Sequence, residues 1–431
     1  MDLHEMAKSA RNAFYDLSVS NISVRNSALE SISAQLEKDK EIIFKANAVD
    51  LMEAEKQGLA KPLVKRLFFG PDKLKQVQEG LYSLAELEDP VGKTSFCNEI
   101  TEGLKLYRVS CPIGVLGIIF ESRPDALVQI SSLAIKSGNA VLLKGGSEAL
   151  HTNQALCESI RKSLKMVGLP EKSTQLLESR EDVRSMLKED TLIDLIIPRG
   201  SNSFVRYIME NSKIPVLGHS DGICHVYIDS EADPDTARRI ALDSKTQNVS
   251  VCNAMETLLI HSDIAGNILP LLAKDFENAH VTVRGDERTR QIINCEEAEE
   301  KDWSTEYLDY IVSIKIVDSL KEAVDHINRY GSHHTDSIVT ESKENAAEFL
   351  SRVDSAGVYV NVSTRFADGF VYGFGAEVGI STGKIHSRGP MGLDGLMTYK
   401  YKLIGHGQTM TDIKAGKLQY THIRLNEDCP L

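Results

Sequence analysis

Among the reactive side chains of this chain, Cys252 has the setting best suited to covalent chemistry. It lies in Ser250-Val-Cys-Asn-Ala-Met-Glu-Thr-Leu-Leu-Ile-His261, where a loop runs into an apolar strand. A cysteine nucleophile acts as its thiolate and needs access together with a cationic or amide-rich surrounding. On position alone, the commoner use of a single cysteine as a small buried apolar side chain stays open. His333-His334 is the other conspicuous pair. There is no HExxH and no His/Asp/Glu cluster at metal spacing, so no metal is expected and the two read as loop histidines. The glycine-rich runs fail the familiar phosphate-binding templates. Gly379-Ile-Ser-Thr-Gly383-Lys384-Ile385 is too short between its glycines for a P-loop and lacks Ser or Thr after the lysine. Gly373-Phe-Gly375 does not end a strand and lacks the third glycine of the dinucleotide fingerprint.

The wider composition limits where such chemistry takes place. Seven cysteines, Cys97, Cys111, Cys157, Cys224, Cys252, Cys295 and Cys429, include no CxxC. That argues against a thiolate zinc site and a disulfide framework, and for a reducing compartment, the cytoplasm. Lys+Arg at 49 against Asp+Glu at 62 gives a net charge of −13, the wrong field for a nucleic-acid partner. The opening Met1-Asp-Leu-His-Glu-Met-Ala-Lys lacks the apolar run of a signal peptide and carries acids that a transit peptide avoids. No stretch approaches the roughly 18 apolar residues of a membrane span. A chain of 431 residues divides into about two or three domains.

The elements that must position these residues follow from periodicity. Residues 1 to about 90 read as helical, with Leu29, Ile32, Leu36 and Ile43 on one apolar stripe. Alternation over residues 97–111 suggests a hairpin arm. Strands are then expected at 114–120, 139–144, 174–177, 192–197 and 223–229, the last completing the first set, with helices at 124–136 and 201–212. Strands alternating with helices imply a doubly wound parallel sheet, whose ligands sit at the carboxyl ends of strands. A second α/β unit follows, with helices at 233–246, 319–329 and 342–353 and strands at 257–261, 281–283, 311–317, 337–340 and 358–362. Residues 365–395 read as a glycine-rich basic loop, 397–404 as a late strand, and the last twenty-five residues as a tail or subunit contact.

Several blocks together are more specific than any single motif. Phe120-Glu-Ser-Arg-Pro124, Lys144-Gly-Gly, Ile197-Pro-Arg-Gly-Ser201, Pro215-Val-Leu-Gly-His-Ser-Asp-Gly222 and Cys252-Asn-Ala-Met-Glu-Thr occur in order. Ser363-Thr-Arg-Phe-Ala-Asp-Gly, Glu377-Val-Gly-Ile-Ser-Thr and Ile385-His-Ser-Arg-Gly-Pro390 complete the set. From about residue 85 to 407 the chain resembles the gamma-glutamyl phosphate reductase family of the aldehyde dehydrogenase superfamily. The resemblance implies an α/β, aldehyde dehydrogenase-like fold of two doubly wound domains plus a small β oligomerisation arm. The implied division is 1–96 and 112–228 for the NADP-binding domain, 229–394 for the catalytic domain, and 97–111 and 395–431 for the arm and C-terminal tail.

The resemblance also implies a reaction: NADPH-dependent reduction of L-glutamate 5-phosphate to L-glutamate 5-semialdehyde with loss of phosphate, in proline biosynthesis. Cys252 attacks the acyl phosphate, a thioester forms, and hydride from the nicotinamide reduces it. Two oxyanions arise, and backbone N–H donors near Cys252 and Asn253 are expected to face them. Oxidising relatives place an asparagine where Ser122 stands here. They also carry Glu-Leu-Gly-Gly, whose glutamate activates water, where this chain has Val216-Leu217-Gly218. Valine takes no proton, as suits a reductase that must not hydrolyse its thioester. For the cofactor, the resemblance puts Lys144 and Ser147 at the 2′-phosphate, Gly200 and Ser201 at the pyrophosphate on a helix N-terminus, and Glu306 at the nicotinamide ribose. For the substrate anions, Arg123 and Arg388 lead over Arg199 and Arg365, and His386 is placed to assist the departing phosphate.

Two departures from the family pattern stand out. Asn248-Val-Ser-Val251 precedes Cys252 where a proline and a small residue are usual, and Ser387 replaces an alanine. No glutamate kinase domain lies ahead of the match, so a single-function chain is expected, with contact to a separate glutamate 5-kinase a further possibility. An oxidising aldehyde dehydrogenase and a non-catalytic binding module are the alternatives. Strands at 97–111 and 397–404 belong to neither α/β sheet, so they are expected to pair with each other and then with a second subunit, giving a homodimer or larger homo-oligomer.

Overall fold

The computed structural model of the chain describes residues 2–121, 123–218, 221–374 and 377–431. Five helices come first: Leu3–Leu17, Ile22–Lys38, Lys40–Lys56, Lys61–Leu67 and Pro71–Glu86. The stripe Leu29, Ile32, Leu36 and Ile43 is fully buried and packs in one core with Leu127, Ile130 and Leu133 of helix Pro124–Lys136. Each such side chain contributes roughly 1.5–3 kcal/mol relative to exposure. Proline opens three of the helices, at Pro71, Pro124 and Pro234, where its missing N–H costs nothing.

The first sheet is parallel, in the order Thr174–Leu176, Ala140–Lys144, Val115–Ile119, Leu195–Pro198. Its two central strands are buried along their whole length, as expected of a sheet covered on both faces. The second sheet has seven parallel strands, in the order Glu296–Glu297, Thr282–Gly285, Ile311–Val317, Met255–His261, Cys224–Ile228, Thr335–Val339, Gly357–Val360. The strand expected at 223–229 therefore does not complete the first set. It stands inside the second sheet, between Met255–His261 and Thr335–Val339. Strand–helix alternation is the same on either side of a sheet boundary, so periodicity could not assign it. Among the described residues, the first sheet gains a single parallel bridge beside Leu195–Pro198, Ile196 to Val216.

Three further segments differ from their expected form. Residues 365–395 contain a small antiparallel pair, Gly379–Ser381 with Gly389–Met391. The last residues are not a bare tail: Ile423–Leu425 pairs antiparallel with Thr94–Thr101, after a short helix Met410–Lys414. Helix Ser262–Asn278, absent from the periodicity reading, carries Pro270 in its interior, which interrupts the helical signal.

The arm is a four-stranded antiparallel sheet in the order Met397–Ile404, Leu104–Pro112, Thr94–Thr101, Ile423–Leu425. The expected pairing of the hairpin with the late strand is present, with Met397 opposite Pro112 and Ile404 opposite Lys105. Asn139 fixes the arm's root to the first sheet, donating to the Leu396 carbonyl at 2.9 Å and accepting from the Gly114 amide at 2.8 Å. Among the described residues no helix is long and apolar enough to cross a membrane.

Candidate active site

The two parallel sheets meet the site with opposite ends. From the first sheet come the residues that follow strands: Phe120, Glu121 and Arg123 after Val115–Ile119, Lys144 at the end of Ala140–Lys144, and Arg199 to Ser201 after Leu195–Pro198. From the second come residues that precede strands: Gly222 before Cys224–Ile228, Cys252 before Met255–His261, and His334 before Thr335–Val339. A cavity of about 860 Å³ lies between them, lined by Cys252, Ser250, Arg123, Arg199, Gly200, Ser201 and Glu306 among others.

Cys252 is half-buried and sits in a tight turn closed by the Ala254 amide on the Val251 carbonyl at 3.1 Å. Two neighbours hold that turn over the middle strand. The Cys224 thiol donates to the Cys252 carbonyl at 3.3 Å. Gly222 lies so close that a Cβ there would come within 2.2 Å of the same oxygen, so no side chain fits at 222. Burial pushes the Cys252 thiol up to about 12, the carboxylates of Glu306 and Glu377 push the same way, and the Arg199 guanidinium opposes them. His334 Nε2 stands 3.2 Å from Cys252 Sγ.

The expected site residues divide into two groups. Cys252, Arg123, Gly200, Ser201 and Glu306 share one cavity. Arg123 is held by Asp125 at 2.8 Å. Arg199, ranked behind Arg388 on sequence, lines that cavity, where burial lowers its affinity for its proton and Glu377 opposes the shift. The Ser201 hydroxyl does not cap helix Asn202–Asn211, so the first-turn amides are not taken up by it. Gly200 passes so close to Glu121 that a Cβ would lie 3.0 Å from its carboxyl carbon. Glu306 accepts from Asn202 Nδ2 at 2.5 Å, a polar link from the second sheet to that helix. Lys144 and Ser147 line an adjoining cavity of about 390 Å³, which shares Phe120 and Glu121 with the first and also holds Glu148.

Two expected residues are placed otherwise. Arg388 is bound to Asp354, by Nη1 to the carboxylate at 3.1 Å and by Nη2 to the carbonyl at 2.9 Å. His386 contacts the Gly395 carbonyl at 3.1 Å, and both line a separate cavity near the arm's root. The Asn253 side chain points into the protein and donates to the Ala367 carbonyl at 2.9 Å, tying the Ser363–Asp368 turn to the cysteine loop. Ser122 lies outside the described residues, as do His219, Ser220, Gly375 and Ala376. Of the two valines before Cys252, Val249 is buried, and neither lines the cavity. Val216 packs among Ile208 and Ile214.

Residues 1–302 match the aldehyde dehydrogenase family. A gamma-glutamyl phosphate reductase of Acetivibrio thermocellus is 56% identical over 431 residues, covering 100% of both chains. The chain belongs to the gamma-glutamyl phosphate reductase family. The crystal structure of a gamma-glutamyl phosphate reductase from Thermotoga maritima superposes with a TM-score of 0.93 at 40% identity, covering 95% of this chain and 100% of that one. More distant solved structures share the fold, among them an engineered glycolyl-CoA reductase with bound NADP+, at 14% identity, a TM-score of 0.64 and 94% and 96% coverage. The overall fold described above is thus shared with a gamma-glutamyl phosphate reductase of known structure.

Proposed function

We propose that the chain reduces L-glutamate 5-phosphate to L-glutamate 5-semialdehyde with NADPH, releasing phosphate, through a thioester on Cys252. The observation that carries the reading is the shared cavity: one accessible thiol, the guanidiniums of Arg66, Arg123 and Arg199, and an uncapped helix N-terminus face the same space. Arg199 and Arg123 bind the phosphoryl group, since guanidinium matches its oxygens and keeps its charge when buried. Glu306 and the amides after Gly200 and Ser201 hold the ribose and pyrophosphate of the cofactor. Lys144 and Ser147 hold its 2′-phosphate, although Glu148 brings a negative charge to the same cavity. When bound, NADPH supplies the hydride for the thioester. The protein's own part is to place the acyl carbon at Cys252 Sγ and to keep hydrolysis out. Val216, packed in an apolar cluster, leaves its position without a group to activate water.

This reading fits a three-part division into cofactor domain, catalytic domain and arm, with the Cys224–Ile228 strand counted in the catalytic part. The arm is proposed to join subunits. The reverse reaction tests the function. Glutamate 5-semialdehyde with NADP+ is expected to give NADPH only when inorganic phosphate is present. Turnover without phosphate would mark an oxidising enzyme instead.

A further inference from the structure

His334 is fully inside the protein, with 1% of its surface exposed, yet one of its ring nitrogens meets the sulfur of Cys252. The two residues come from strands that are not adjacent. Cys224–Ile228 lies between theirs, so their strand ends are about 9–10 Å apart. The contact exists because the cysteine loop leans over the middle strand, held by the Cys224 thiol and by the missing side chain at Gly222. On the far side of the ring, Nδ1 lies 2.9 Å from the Thr335 hydroxyl. An Nδ1–H donated to that oxygen leaves the Nε2 lone pair facing Sγ.

Attack on an acyl phosphate needs the thiolate, and the surroundings of Cys252 oppose it. Burial and the carboxylates of Glu306 and Glu377 favour the thiol, and the Cys224 thiol beside it adds no cation. Arg199 and Arg365 add positive charge to the surroundings of the sulfur, but a guanidinium takes no proton. Among the described residues, the group in contact with Sγ that can accept one is the imidazole.

We propose that His334 is the proton acceptor for Cys252 in the acylation step, an inference that rests on Cys252 being the nucleophile. The proton moves from Sγ to Nε2 as the sulfur electron pair forms the S–C bond. The C–O bond to phosphate breaks with its electrons, and the imidazolium proton leaves with the phosphate as monohydrogen phosphate. When the sulfur is later expelled, it takes up one proton from solvent, the proton that the overall reduction consumes.

Alkylation of Cys252 by iodoacetamide, followed on its peptide by mass spectrometry across pH, tests this without substrate or cofactor. The wild-type rate is expected to rise through an inflection between about pH 6 and 8, and His334→Gln to move it above about pH 9 and slow alkylation at pH 7 by at least tenfold. The same variant is expected to lose kcat by a similar factor with little change in KM. A folded His334→Gln with the wild-type alkylation profile would overturn the proposal. So would slowed alkylation beside an unchanged kcat. If the variant does not fold, the wild-type profile decides, since an inflection at or above the ordinary thiol value leaves the imidazole no role. A Cys252→Ser enzyme that keeps its activity would sink the nucleophile reading itself, whatever the alkylation rates show.

Discussion

Cys252 was visible in the sequence only in company. Alone, its loop suited a buried apolar cysteine as well as a nucleophile, and the resemblance carried by the ordered blocks around it is what favours the nucleophile. Cys252→Ser should leave the fold intact and lower turnover by about three orders of magnitude or more, because a hydroxyl has no comparable anion near neutral pH. Steady-state reduction together with a thermal melt checks both halves. The proposed cofactor residues came from the resemblance, and Lys144, Gly200 and Ser201 lie where strands of the first sheet end, the end at which parallel sheets bind ligands. Lys144→Ala should weaken NADPH roughly tenfold to a hundredfold and NADH little, as expected from losing one charged hydrogen bond. Equal loss for both cofactors in parallel KM measurements would put Lys144 elsewhere. His334 was read as a loop histidine because His333-His334 was weighed as a metal pair and lacks metal spacing, and its approach to Cys252 across an intervening strand is a long-range contact. Arg388 sat in a loop bounded by glycine and proline that looked open, and its partner Asp354 is thirty-four positions away, beyond the reach of local pattern.

At the scale of elements, the same distinction between local and distant information holds. Helix stripes, the hairpin and most strands are local patterns and were legible. The sheet to which Cys224–Ile228 belongs is a long-range fact, set by pairing with Met255–His261 and Thr335–Val339. A comparable long-range feature is the ion pair of Lys245 with Glu256, fully buried at 2.6 Å. Helix Pro234–Thr246 supplies the lysine and strand Met255–His261 the glutamate, so the pair spans the base of the cysteine loop. Glu256 also accepts from the Leu308 amide at 3.3 Å, two residues beyond Glu306. Burial pushes this carboxyl up to about 7, with the Lys245 ammonium opposing the rise. Glu256→Ala strands a buried ammonium and should cost roughly 3–5 kcal/mol of stability, measured by urea unfolding. Replacing both residues, Lys245→Met with Glu256→Leu, should recover most of that loss, since a buried pair exchanged for apolar groups is close to neutral. A double variant as unstable as the single one would show that the pair does more than neutralise itself.

At the scale of the whole molecule, the arm presents surface that the chain itself does not cover. One side of its sheet has a small core of Cys97, Tyr107 and Val109 with Ile404, Leu425 and Cys429 against it. The other side carries Tyr399, Tyr401 and Leu403, each more than half exposed, on an edge strand. Arg108 lies over the Tyr399 ring at 5.1 Å and Arg424 over Phe96 at 4.1 Å, so the face is aromatic and cationic together. An edge strand of this length with apolar neighbours is a template for pairing with another chain. Strand pairing and aromatic burial at a second subunit would satisfy both its backbone groups and its rings. Truncation after Gly395 is a poor test, because Leu396 belongs to the main core and its carbonyl binds Asn139. Charges on the exposed face avoid that difficulty. Tyr401→Asp with Leu403→Lys should leave the melting of the separate subunit unchanged and convert a dimer or larger assembly to monomer, read by light scattering at micromolar concentration. A wild-type chain that is already monomeric and fully active would show that the arm serves its own subunit alone.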